Sequence, residues 1–125
     1  MEYCSHLWAG APGSQVDPFN RIQRRAIRLV DDPMLTDGLE SLELRRDVGS
    51  LCVFYRLYNG ECSEELFGLI PAVGFRHRTS QGSRFHQHHL GTWHSSTVRF
   101  SRNFLPRTCK LWNKLPVSVF PLSYD

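Results

Sequence analysis

Asp17-Pro18 opens one stretch of this chain and Asp31-Asp32-Pro33 closes it, and what lies between repeats with the period of an α-helix. Asp17 offers a capping side chain, and Pro18 stands where a missing N–H costs nothing. At 100° per residue, Phe19, Ile22, Ala26, Leu29 and Val30 share one arc. Arg21, Arg24, Arg25 and Arg28 share the opposite arc, and Ile27 falls between the two. Pro33 disfavours helical geometry at Asp32 and cannot donate to a helical ladder, so the helix ends at the aspartates. This segment predicts a rod with an apolar side that needs a partner.

The partner follows at 39–58, the longest apolar stretch. Leu44, Val48, Leu51, Cys52 and Tyr55 keep 3–4 spacing, and Phe54, Leu57 and Tyr58 widen the face. Ser41 opens this helix and Asn59-Gly60 closes it. Gly49 in its interior disfavours the helix by about 1 kcal/mol relative to alanine and marks a close crossing. Ser63 caps a short helix with Glu64 and Glu65 in its first turn, and Pro71 stops it. At the N-terminus, "EYCSHLW" reads as the interior of an amphipathic helix that ends at Gly10 and Pro12, so the chain looks cut from something longer.

Beyond Pro71 no period is sustained. Residues 72–97 are rich in Gly, Ser, Thr, His and Arg and read as a long, flexible, polar and basic loop. "STVRFSRNF" is either a weak strand or the lead-in to a last helix, in which Pro106 lies near the start, Leu111, Trp112 and Leu115 form the apolar side, and Pro116 is the stop. The expected fold is therefore mainly α: three or four helices on one small core, a long basic loop, and a short C-terminal helix. Residues 1–71 form the helical region and 98–125 the tail, with Ile22, Leu29, Leu51, Tyr55 and Trp112 in the core.

Charge separates the two halves. Residues 1–70 hold seven basic and eleven acidic side chains, whereas 71–125 hold eight basic ones and Asp125 as the only acidic one. The net charge of +3 hides this asymmetry, which points to different partners for the two halves. No apolar run reaches the roughly 18 residues of a membrane span, and no secretory signal is visible at the N-terminus. The expected location is intracellular, cytoplasmic or nuclear, and Cys4, Cys52, Cys62 and Cys109 are expected as reduced thiols.

Four blocks, in order, point to a family: "YCSHLWAGAP", "RIQRRAIRLVDDP", "LESLELRRDVGSLCVFYRLYNGECSEELFGLIP" and "FSRNFLPRTCKLWNKLPVSVFP". Together they resemble the region just C-terminal to the catalytic palm in the reverse transcriptase of jockey-like non-LTR retrotransposons. The most specific block is Phe104, Pro106, Arg107, Thr108, Leu111, Trp112, Asn113, Leu115 and Pro116. The resemblance implies that the first helices are the end of a polymerase thumb, followed by its tail, within an RNA-directed DNA polymerase that uses divalent metal. The chain departs from the family in lacking the Tyr/Phe-x-Asp-Asp motif, its partner aspartate strand and any endonuclease residues. Leu29-Val30-Asp31-Asp32 comes one aromatic residue short of that motif, yet it ends an Arg-rich helix instead of occupying a strand hairpin, so it reads as helix punctuation. No catalytic residue, cofactor or metal ligand is expected in this chain, and it is not expected to be an enzyme by itself.

Three constellations remain. The Arg21/Arg24/Arg25/Arg28 face could contact successive phosphates of RNA or an RNA–DNA duplex; it could equally be a solvated face, or pair with acids around Glu40, Glu43 and Asp47. The tail cations, above all Arg99, Arg102, Arg107 and Lys110, interleave with aromatics in a way that suits nucleic acid, although Phe100, Phe104 and Trp112 fit a core equally well. Arg107 could instead pair with a carboxylate of the helical part and hold the tail there. His77, His86, His88, His89 and His94, with Cys109, invite a zinc reading, but the paired spacing of a structural zinc site is missing and a polar loop is the simpler account. The expected partners are thus nucleic acid and the remainder of the parent polymerase, with no membrane. The alternatives are a helical protein-interaction module or a relic reading frame with no selected role.

Overall fold

The computed structural model of the 125-residue chain describes residues 3–70 and 88–121. The architecture is mainly helical, and no strand occurs among the described residues. In chain order the helices are α1 (Ser5–Trp8), α2 (Gly13–Val30), α3 (Pro33–Thr36), α4 (Leu42–Tyr58), α5 (Glu64–Phe67), α6 (Val98–Ser101) and α7 (Phe104–Trp112), followed by a 3₁₀ turn at Val117–Val119. Three are long enough to organise the fold, and the others are single turns. None is both long and apolar enough to cross a membrane.

Helix α4 is the axis, with α1, α2, α5 and α7 all packed on it. Its ends lie where the sequence puts them. Ser41 Oγ accepts the Leu44 N–H at 3.2 Å, and Asn59 with Gly60 at φ 81° closes the other end. The core sits between the C-terminal half of α4 and α7. Phe54 and Cys109 are fully buried, Trp112 nearly so, and Ile70 and Leu90 complete the cluster. The Trp112 ring lies 5.3 Å from Phe54, 5.0 Å from Tyr58 and 4.9 Å from Phe120, an aromatic nest that adds to area burial. Its indole N–H donates to the His88 carbonyl at 2.8 Å, so the ring is buried without orphaning its one polar atom. Leu51 and Tyr55 pack against this nest as expected.

Part of the polar loop belongs to this core. From His88 onward the segment lies on α7: the Asn113 side chain accepts from Leu90 N at 3.0 Å and donates to Leu90 O at 2.9 Å, clamping one residue by both backbone groups. The earlier part of the loop, with His77 and His86, lies outside the described residues. "STVRFSRNF" is the lead-in to the last helix: Thr97 Oγ1 accepts from Phe100 N and starts α6.

Two expectations require correction. First, α2 begins at Gly13, not at Asp17-Pro18. The Pro12 carbonyl accepts from Gln15 and Val16, and the additional turn docks Val16 against the body while Phe19 settles 5.6 Å from Trp8. Pro18 inside the helix gives up only one backbone bond near its start.

Second, Ile22 and Leu29 are not core: they are 52% and 76% exposed. The half-buried side of α2 carries Phe19, Asn20, Gln23 and Ile27, turned roughly 90° from the most apolar arc. The cause lies in Gln23, whose Nε2 donates to the Glu40 carbonyl at 3.0 Å while its Oε1 accepts from Leu42 N at 3.1 Å. Leu42 is the first residue of α4, and its N–H would otherwise be orphaned at a helix start. Satisfying that terminus points Gln23 inward and swings Ile22 and Leu29 out.

The same happens on α4. Its buried stripe is Leu42, Arg46, Ser50 and Phe54, while the expected face residues Leu44, Val48 and Cys52 are exposed.

Candidate nucleic-acid interface

The α2 stripe stands clear of the body. Arg21, Arg24, Arg25 and Arg28 are all exposed and together border a shallow depression of about 380 Å³. Arg24 Nε donates back to the Asn20 carbonyl at 3.3 Å, holding that guanidinium near the helix. Arg28 lies in the last turn, where the helix dipole favours a cation. Among the described residues none of the four forms an ion pair. Asp47, one of the acids that could have neutralised the stripe, is engaged elsewhere.

The element that ends the stripe is punctuation. Asp31 closes α2 in the left-handed region at φ 45°, which short polar side chains tolerate. Asp32 Oδ1 accepts from Met34 N at 2.9 Å and caps α3, with Pro33 at its first position. The Asp32 carboxylate is thus engaged in a helix cap. Among the described residues no group of three or more His, Cys, Asp or Glu side chains could hold a metal ion.

The tail cations divide. Arg99, Arg102 and Lys110 are exposed. Arg107 is not part of that surface: its Nη1 meets Asp47 Oδ1 at 3.0 Å and its Nη2 donates to Ser50 Oγ at 2.8 Å, joining α7 to α4. Burial holds the Arg107 guanidinium below the usual arginine range, Asp47 opposes that, and the nearby Arg46 charge adds to the lowering. Of the two roles open to Arg107 in the sequence, the pairing with a helical carboxylate is the one the structure displays.

Of the histidine and cysteine candidates, His88 and Cys109 have structural contacts, and His94 is exposed. His88 stacks on Phe120 at 4.7 Å and its Nδ1 meets the Tyr58 hydroxyl at 3.2 Å. Cys109 is buried, its thiol lies 3.5 Å from the Gly91 carbonyl, and burial pushes its pKa up to about 11. A thiol held protonated in this way is a poor metal ligand and nucleophile. The cysteines are free thiols.

Sequence reasoning missed Arg46. It is 3% exposed, with its guanidinium carbon 5.6 Å from the Trp8 ring and its Nη2 donating to Asn20 Oδ1 at 3.3 Å. The signal was present in the i, i+4 row Leu42–Arg46–Ser50–Phe54, but a charged residue in such a row is ordinarily read as marking the wet side. Compared with known protein families, characterised proteins and solved structures, the chain matches none of them.

Proposed function

We propose that this chain is the thumb-end and tail segment of a retrotransposon RNA-directed DNA polymerase, and that its role is to grip the phosphate backbone of the template–primer duplex. The reading rests on the sequence resemblance and on one structural observation: four guanidiniums on one exposed side of an 18-residue helix, without a carboxylate partner among the described residues. From Arg21 to Arg28 the helix rises about 10 Å, close to three base-pair steps of duplex at roughly 3.4 Å each. Such a face positions a duplex without reading its sequence. Arg99, Arg102 and Lys110 extend the exposed cationic surface beyond α2. The chemistry of the parent enzyme belongs to a palm that this chain does not carry.

The test is a gel-shift titration of a primer–template against salt. Four phosphate contacts predict a log–log slope steeper than the variant's by about 3 to 4 units, so Arg21, Arg24, Arg25 and Arg28→Gln together should flatten the salt dependence by that amount. Binding that ignores both salt and these substitutions would overturn the reading.

The exposed Ile22, Leu29 and Val30 of α2 favour a second reading, in which this same helix docks a polypeptide. If that is the whole function, nucleic acid leaves the elution volume of the chain unchanged.

A further inference from the structure

Helix α2 has three sides, and the fold occupies one of them. Phe19, Asn20, Gln23 and Ile27 meet the body, while Arg21, Arg24, Arg25 and Arg28 form an exposed cationic side. Between these runs an apolar ridge of Ile22, Ala26, Leu29 and Val30, all of them exposed. At 100° per residue the ridge is centred roughly 90° from the packed side, and Arg25 and Arg21 border its other edge. Single exposed aliphatics are ordinary, but these are contiguous over about two helical turns. A duplex satisfies the cations and offers nothing apolar to the ridge. Ile22, Arg25, Ala26 and Leu29 stand at i, i+3, i+4 and i+7, the four positions that frame a hole for a knob from a facing helix, with alanine leaving room in it. Asp17 and Asp31 lie at the two ends of the arginine row, and neither forms an ion pair with it among the described residues, so the row stays cationic. A second copy laid antiparallel, ridge on ridge, would set two such rows side by side, which like charge opposes. The complementary occupant is therefore acidic.

We propose that α2 receives an acidic amphipathic helix of another polypeptide, with the apolar stripe of that helix on Ile22, Ala26 and Leu29 and its carboxylates on Arg21 and Arg25. Apolar anchors at helical spacing supply the affinity, and the flanking charges fix the partner and its register. The arginine row is also the one assigned above to duplex phosphates, so helix and duplex compete for it, and docking withdraws the chain from nucleic acid. The competition rests on that phosphate-gripping role; the docking does not.

The probe is a fluorescein-labelled synthetic helix of about 20 residues, with leucine at i, i+3, i+4 and i+7 spacing and glutamate on both flanks. A scrambled peptide of the same composition and a lysine-flanked version are the controls. Fluorescence anisotropy with the full chain should show saturable, salt-weakened binding of the glutamate helix alone. Ile22→Gln with Leu29→Gln should weaken that binding about tenfold and leave the primer–template affinity unchanged; both side chains are exposed, so this variant folds. Arg21→Gln with Arg25→Gln should weaken both ligands, and unlabelled helix should displace the primer–template. A chain that binds the helix in this way but ignores the primer–template keeps the docking and loses the phosphate-gripping role. Simultaneous binding of helix and primer–template overturns the competition. Equal binding of the scrambled or lysine-flanked peptide, or indifference to Ile22→Gln and Leu29→Gln, overturns the docking. So does a concentration-dependent dimer that these two substitutions abolish, which makes a second copy the occupant, or sedimentation with phosphatidylserine vesicles that they abolish, which makes it a membrane.

Discussion

The two halves of α4 are held by different physics. Toward its C-terminus, Phe54, Tyr55 and Tyr58 close on Trp112 in a dry aromatic nest. Toward its N-terminus the contacts are polar: Gln23 on the Leu42 amide, Asn20 on Arg46, and Arg107 on Asp47 and Ser50. The apolar end gains its free energy from area removed from water, which is indifferent to direction. The polar end gains little net energy per bond but tolerates only one geometry. Stability is therefore concentrated at one end of the helix. The other end fixes orientation, and it does so while leaving Ile22, Leu29, Leu44 and Val48 outside.

The largest effect should appear at the apolar end. Trp112→Ala removes the ring on which Phe54, Tyr58 and Phe120 converge and is expected to lower stability by about 3–5 kcal/mol. For a domain of this size that is a large fraction of roughly 5–15 kcal/mol, so chemical denaturation should lose its cooperative transition. Leu29→Ala, equally apolar in sequence but 76% exposed, should change stability by less than about 0.5 kcal/mol. Similar losses in the two variants would erase the distinction between the ends.

Next is the turn between α1 and α2, which lies against the junction of α6 and α7. A Cβ placed on Gly10 would fall 1.8 Å from the Arg102 carbonyl oxygen and 2.9 Å from its carbon. Backbone cannot yield as a side-chain tip can, so Gly10→Ala should lower stability by about 1–3 kcal/mol, read from the urea midpoint. A neutral result would mean that the N-terminal turn is not tightly seated on the tail.

The same contrast explains what could be read in advance. Boundaries set by local chemistry were legible: Ser41, Asn59-Gly60 and Asp31-Asp32-Pro33 each mark an element end by capping, positive φ or ring geometry, and none needs a distant partner. Trp112 was legible as well, because a large ring between Leu111 and Leu115 has nowhere else to go. The rotation of α2 and α4 about their axes was not. A periodic pattern identifies the most apolar arc, but the orphan amide at Leu42 and the carbonyl at Glu40 required a bidentate amide, and Gln23 supplied it at the expense of the apolar arc. The buried Arg46 was hidden for the same reason, since its neighbours Trp8 and Asn20 arrive from other helices.

Arg107→Leu tests the polar end with a smaller effect. The side chain is 16% exposed and Asp47 34%, so water can take up part of the carboxylate that is left behind. A loss of about 1–2 kcal/mol is expected, between the 0–1 of a surface pair and the 3–5 of a fully buried one. The loss should shrink when Asp47→Asn is already present, because the coupling term of the double-mutant cycle isolates the pair. Equal losses in both backgrounds would assign the contribution to leucine packing instead.

The smallest effect should be a gain. Gly49 lies in the middle of α4, where glycine is less favourable than alanine by about 1 kcal/mol because the unfolded chain has more backbone freedom to lose. It also sits where α1 crosses, which would argue for leaving the position bare. Distance decides between these. A Cβ here would stand 3.6 Å from Ser5 Oγ, an ordinary van der Waals contact and not a clash. Gly49→Ala should therefore raise the denaturation midpoint, by up to about 1 kcal/mol in stability. A decrease would show that α1 approaches α4 more closely than 3.6 Å allows, and that the crossing belongs with the tightly fitted contacts at Gly10.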